Sequence, residues 1–145
     1  MSTSRKIWTM VVPLLLLCIF GCVGIVRVAE KNSEGQAPIL RLRITVDESM
    51  RNEFFSQLQQ FANQHSFEFK LRPAGPNGEG FFIEMTRDDI YINANITRVD
   101  PKTVSLRFFD TDPTHPTSKE TVDDLLIDLK SFLSAIPNVT ITEEE

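Results

Sequence analysis

Cysteine is nearly missing from this chain: 145 residues hold two, Cys18 and Cys22, both inside one hydrophobic stretch near the N-terminus. Everything after residue 22 therefore folds without a disulfide. It has no thiol for nucleophilic chemistry and none for a thiolate zinc site. Histidine is as scarce, with only His65 and His115. No serine stands in a nucleophile elbow. The glycine-rich stretch Gly75–Gly80 lacks the lysine and the following Ser or Thr of a phosphate loop.

Positive charge is also in short supply beyond the N-terminal region. Of 15 Lys and Arg and 20 Asp and Glu, four bases and one acid fall within residues 1–31, which leaves 11 against 19, a net of −8. So acidic a domain repels phosphate backbones, and nucleic acid is excluded as the expected partner. An anionic lipid surface would not attract it either.

What the N-terminus does have is a long apolar run. Ile7–Val26 is twenty residues without a charge. As a helix rising about 1.5 Å per residue it matches a hydrocarbon core of about 30 Å. Arg5 and Lys6 precede it, the order of a secretory signal, and positive charge on the near side sends the downstream chain across the membrane. The run then reaches Ile19-Phe20-Gly21-Cys22. This resembles the lipobox of bacterial lipoproteins, although Phe20 is bulkier than usual and Val23–Val26 stays apolar. The resemblance implies that Cys22 is acylated and becomes the new N-terminus. Each buried CH₂ of the acyl chains then contributes roughly 0.8 kcal/mol to anchoring. Val23 after the cysteine implies sorting to the periplasmic face of the outer membrane. The other reading of the same residues is an uncleaved single-pass helix from about Ile7 to Val28, with the domain held outside the cytoplasm at the inner membrane. Both readings give one topology: residues 1–28 as leader or anchor, 29–38 as a polar tether, and 39–145 as an exported domain.

Within that domain the apolar spacing predicts alternating elements. Leu40, Leu42, Ile44 and Val46 alternate with Arg41, Arg43 and Thr45, a half-buried strand. Asp47 stands at an N-cap position, and Met50, Phe54, Leu58, Phe61 and Ala62 recur at helical spacing to about His65. Strands are expected over Phe67–Leu71, Phe81–Met85, Ile90–Thr97 and Val104–Phe108, with a loop at Pro73–Gly80 and turns at Arg87–Asp89 and Asp100–Lys102. Thr117 and Glu120 form a T-x-x-E capping box ahead of a second helix carrying Val122, Leu125, Leu126, Leu129, Leu133 and Ile136. Val139–Thr142 closes the pattern as a short strand. The order β-α-β-β-β-β-α-β predicts an α+β two-layer sandwich, a mainly antiparallel sheet with two helices on one face. It resembles the ferredoxin-like split βαβ plan with extra hairpin strands.

Few residues invite chemistry. His65, at the end of the first helix, is expected to meet terminal carbonyls. Asp110, Asp112 and His115 share the one ligand-rich segment and could hold a divalent ion, but their spacing fits no EF-hand loop, and aspartates with prolines are what such a turn uses. Asp88 and Asp89 read as a solvated turn, and Asp123, Asp124 and Asp128 as the polar face of the second helix. If the aliphatic alternation faces the helices, the opposite sheet face presents Arg41, Arg43 and Lys70 along with Phe82, Tyr91, Asn93, Asn95, Arg107 and Phe109. Aromatics and arginines are enriched in binding hot spots, which makes Tyr91, Arg107 and Phe109 the candidate partner surface. Cross-strand pairing alone would also place aromatics there. The expectation is a membrane-tethered, non-enzymatic module that needs no cofactor and binds a protein of the cell envelope, as an inhibitor or immunity protein does. The alternative is a metal-binding module or metal-dependent hydrolase built on Asp110, Asp112 and His115.

Overall fold

Alternation in the first strand decides which face of the sheet is the inside. In β1 (Leu40–Thr45), Leu42 and Ile44 are wholly buried while Arg41, Arg43 and Thr45 are exposed. The same phase runs through β3 (Gly80–Thr86), β4 (Ile90–Thr97) and β5 (Asp100–Asp110), so Ile83, Met85, Ile92, Leu106 and Phe108 line one face. The computed structural model describes residues 35–75, 77, 80–97 and 100–144. The leader or anchor expected over residues 1–28, Cys22 included, and much of the tether lie outside the described residues. No helix of the described residues is long and apolar enough to cross a membrane. The compact unit that holds the described elements runs from Ala37 to Glu145.

Two helices cover the inward face. In α1 (Arg51–Gln64), Phe54, Leu58, Phe61 and Ala62 fall on one stripe and are buried. In α2 (Lys119–Leu133) the stripe is Leu125, Leu129 and Leu133. These residues and the inward strand positions form one core cluster, which makes the molecule a two-layer α+β sandwich. A single 3₁₀ turn, Glu48–Met50, leads into α1. Asp47 therefore caps that turn and not the helix, and its side chain makes no capping bond. At the far end Ser66 takes φ 60°, the Ser66 N–H donates to the Asn63 carbonyl, and the Phe67 N–H donates to the Ala62 carbonyl. That is a Schellman closure with serine where glycine is usual.

The sheet order is β2-β3-β4-β5-β1-β6, every neighbouring pair antiparallel. β2 (Glu68–Ala74) and β6 (Thr140–Glu144) are the edges. Each helix joins two strands that run the same way with other strands between them. α1 spans from β1 to β2, and α2 spans from β5 to β6 across β1. This is the split βαβ plan, widened by the hairpin β3–β4.

Three boundaries differ from the sequence reading. β2 continues through Pro73 and Ala74, which pair with Phe81 and Gly80. Proline is tolerated there because β2 is an edge strand and loses no ladder bond on its outer side. β5 begins at Asp100, so Asp100-Pro101-Lys102 belongs to the strand; Asp100 Oδ1 accepts the Lys102 and Thr103 N–H groups and holds that start in shape. The cap of α2 is Ser118, whose side chain accepts the Thr121 N–H at 3.1 Å. Thr117 is engaged elsewhere, donating its N–H to Asp110 Oδ1 at 2.8 Å and its hydroxyl to the Asp89 carbonyl at 3.1 Å. One glycine is fixed by close approach: a Cβ on Gly80 would lie 2.6 Å from the Ile96 carbonyl oxygen.

Candidate binding face

Neither helix lies on the outward face of the sheet, so its side chains are organised by strand register alone. Pairing places Tyr91 opposite Phe109, Asn93 opposite Arg107, and Asn95 opposite Ser105 across β4 and β5. It places Arg41 opposite Arg107 and Arg43 opposite Ser105 across β1 and β5. Glu84 sits opposite both Asn93 and Lys70. The candidate residues Tyr91, Arg107 and Phe109 thus share this face and adjoin one another.

Their exposures are unequal. Tyr91 and Arg107 are half-buried, whereas Phe109 is only 5% exposed. The Tyr91 and Phe109 rings are 6.0 Å apart and tilted, a cross-strand aromatic pair. Phe109 thus offers a partner little surface of its own. The Tyr91 hydroxyl donates to Glu84 Oε1 at 3.1 Å. Its pKa is pushed up to about 12, first by burial and then by the Glu84 carboxylate beside it, while a hydrogen bond from Asn93 pulls the other way.

Glu84 is the hub that sequence reading missed. Besides Tyr91 it accepts Arg72 Nη2, and the Arg72 guanidinium lies 5.5 Å from the Phe82 ring centroid. Alternation with the buried Ile83 and Met85 puts Glu84 outward, and only register shows what it meets. Arg43 is paired with Glu144 at 2.6 Å and Lys70 with Glu68 at 3.0 Å. At the centre of the face two polar atoms are buried without a hydrogen-bond partner among the described residues: Asn93 Oδ1 and Arg107 Nε. Asn93 is 7% exposed.

The ligand-rich segment does not assemble as three. Asp112 Oδ1 accepts the Thr114 N–H and hydroxyl, and Asp112 Oδ2 lies 2.9 Å from His115 Nδ1. These contacts, Thr114 first and His115 second, hold the Asp112 carboxyl down at about 2. Asp110 instead faces α2, where it receives the Thr117 N–H. Among the described residues no group of three or more His, Cys, Asp and Glu side chains is placed so that it could hold a metal ion.

A separate open cleft of about 380 Å³ is lined by His65, Arg87, Asp124 and Asp128. Asp128 Oδ2 approaches His65 Nε2 to 3.2 Å, close enough for an ion pair but without hydrogen-bond geometry, so that nitrogen stays unsatisfied. His65 meets the terminal Phe61 carbonyl through its backbone N–H at 3.0 Å, while its ring makes this contact and packs on Phe61, ring centroids 4.7 Å apart. Arg87 grips Asp89 with two hydrogen bonds of 2.6 and 2.8 Å, which hold the Asp89 carboxyl below the usual range. The cleft therefore holds an arginine already spent on a turn and a histidine wedged between helices.

No protein-family model matches the chain, and no curated protein matches it.

Proposed function

We propose that this protein is a membrane-tethered module, held on the far side of a bacterial-type membrane by its N-terminal segment, whose activity is to bind another protein through the outward face of its sheet. The observation that carries the reading is the pair of buried, unpartnered polar atoms at the centre of that face, Asn93 Oδ1 and Arg107 Nε. A desolvated donor or acceptor with no partner costs roughly 1–3 kcal/mol, and a bound partner that supplies the missing bonds recovers that cost. Half-buried Tyr91 stands beside them, a residue type favoured in hot spots, and an ion pair lies toward each edge of the sheet, Arg43–Glu144 and Lys70–Glu68. This amends the trio expected from sequence: Phe109 packs beside Tyr91 as its cross-strand neighbour, while Tyr91, Asn93 and Arg107 meet the partner.

The topology of the reading rests on Arg5-Lys6, the uncharged run and the lipobox-like Ile19-Phe20-Gly21-Cys22. Capture tests the binding. Ser105 lies mid-face between Asn95 and Arg43 in register, where a tyrosine fits the strand and obstructs docking. Full-length protein extracted from its membrane should retain one partner in stoichiometric amount. Ser105→Tyr should lose that partner while melting within a few degrees of the parent. Undiminished capture by the folded variant would refute the reading.

A further inference from the structure

Five cations project from the outward face: Arg41, Arg43, Lys70, Arg72 and Arg107. Three of them have a carboxylate on the same face, Arg43 with Glu144, Lys70 with Glu68 and Arg72 with Glu84. Glu144 also lies opposite Arg41 in register across β1 and β6, but its carboxylate bonds Arg43; neither Arg41 nor Arg107 forms an ion pair among the described residues, and register sets the two arginines directly opposite each other across β1 and β5. Like charges in that position repel and do nothing for the sheet. Two arginines opposite in register, one with its Nε buried and unbonded, offer donors suited to an anion on a domain that is otherwise strongly acidic.

Resting on the reading of this face as the partner surface, we propose that Arg41 and Arg107 together receive a side-chain carboxylate from an acidic segment of the partner protein. Asn93 decides the source of the anion. It lies opposite Arg107 on the other side, and its Oδ1 is a buried acceptor that needs a donor. A peptide presents an N–H within reach of its own carboxylates, whereas a phosphodiester group presents only acceptors to that site.

The test is calorimetric titration of the full chain in a neutral detergent at low ionic strength, with a hexaglutamate peptide as the probe. Saturable binding is expected, weakened at least fivefold by Arg41→Gln and by Arg107→Gln. Lys119→Gln, the same charge change on an exposed residue of α2, should leave it unaltered. Arg41 is exposed, so its variant keeps the test valid even if Arg107→Gln folds poorly. Three results overturn the proposal: no saturable binding, an equal loss in Lys119→Gln, or glycerol phosphate bound at these arginines more tightly than hexaglutamate. Capture of the natural partner separates this idea from the reading beneath it. Capture abolished by Ser105→Tyr but untouched by Arg41→Gln and Arg107→Gln sinks the carboxylate receptor alone, whereas capture that survives Ser105→Tyr sinks both.

Discussion

Tyr91 is the only tyrosine in the chain, so its ionisation can be read without interference. Burial and Glu84 favour its neutral form, raising its pKa in the folded protein from about 10 to about 12. Absorbance of the tyrosinate should rise with a midpoint near 12 in the native protein, and near 10 after unfolding in denaturant. Glu84→Gln should bring the native midpoint partway down, since burial, the larger cause, remains. The unfolded state loses this proton first, so the contribution to stability is complete below pH 10 and disappears as pH rises through 12. A native midpoint at 10 would mean that Tyr91 is solvated and does not bond Glu84. At this scale the sequence was half legible. Period two put Tyr91, Arg107 and Phe109 on one face, but exposure depends on cross-strand neighbours, and these left Tyr91 half-buried and Phe109 buried.

Among the elements, the start of α2 shows how tertiary contacts override a local signature. The T-x-x-E pattern pointed to Thr117 as the cap, yet Thr117 is held by Asp110 and Asp89, and the role passes to Ser118. Ser118→Ala should cost about 1 kcal/mol of stability, the usual loss for a capping serine, measurable in urea unfolding. A loss below a few tenths of that would return the cap to Thr117. The same competition lengthened β2 and β5. Pro73 and Pro101 read as breakers, but an edge strand tolerates the first, and the Asp100 side chain shapes the strand start around the second. Helices announced themselves better, because stripes such as Leu125, Leu129 and Leu133 need only the chain's own periodicity.

At the level of the whole molecule, the layers were legible and the strand order was not. Alternating and helical periods say which faces are apolar. They do not say that β6 returns beside β1, with β5 on its other side. That placement sets Arg41 against Arg107 and Glu144 against Arg43, so the character of the outward face is a product of topology. The proposed anchor is a separate matter, read from residues 1–28. Protein extracted from membranes should begin at Cys22 and carry the added mass of acyl chains, and Cys22→Ser should abolish both. A full-length, unlipidated chain that Cys22→Ser does not change would leave the uncleaved helix as the anchor.

The claim that joins fold to function is that a partner sits on the outward sheet face. Site-specific photo-crosslinking in intact membranes asks this directly, with a photoreactive phenylalanine analogue placed either at Ser105, mid-face, or at Ile127 on α2, which is 64% exposed and lies on the opposite layer. The account predicts one discrete adduct from position 105 and none from position 127. An adduct from position 127 alone, or none from position 105, would contradict it.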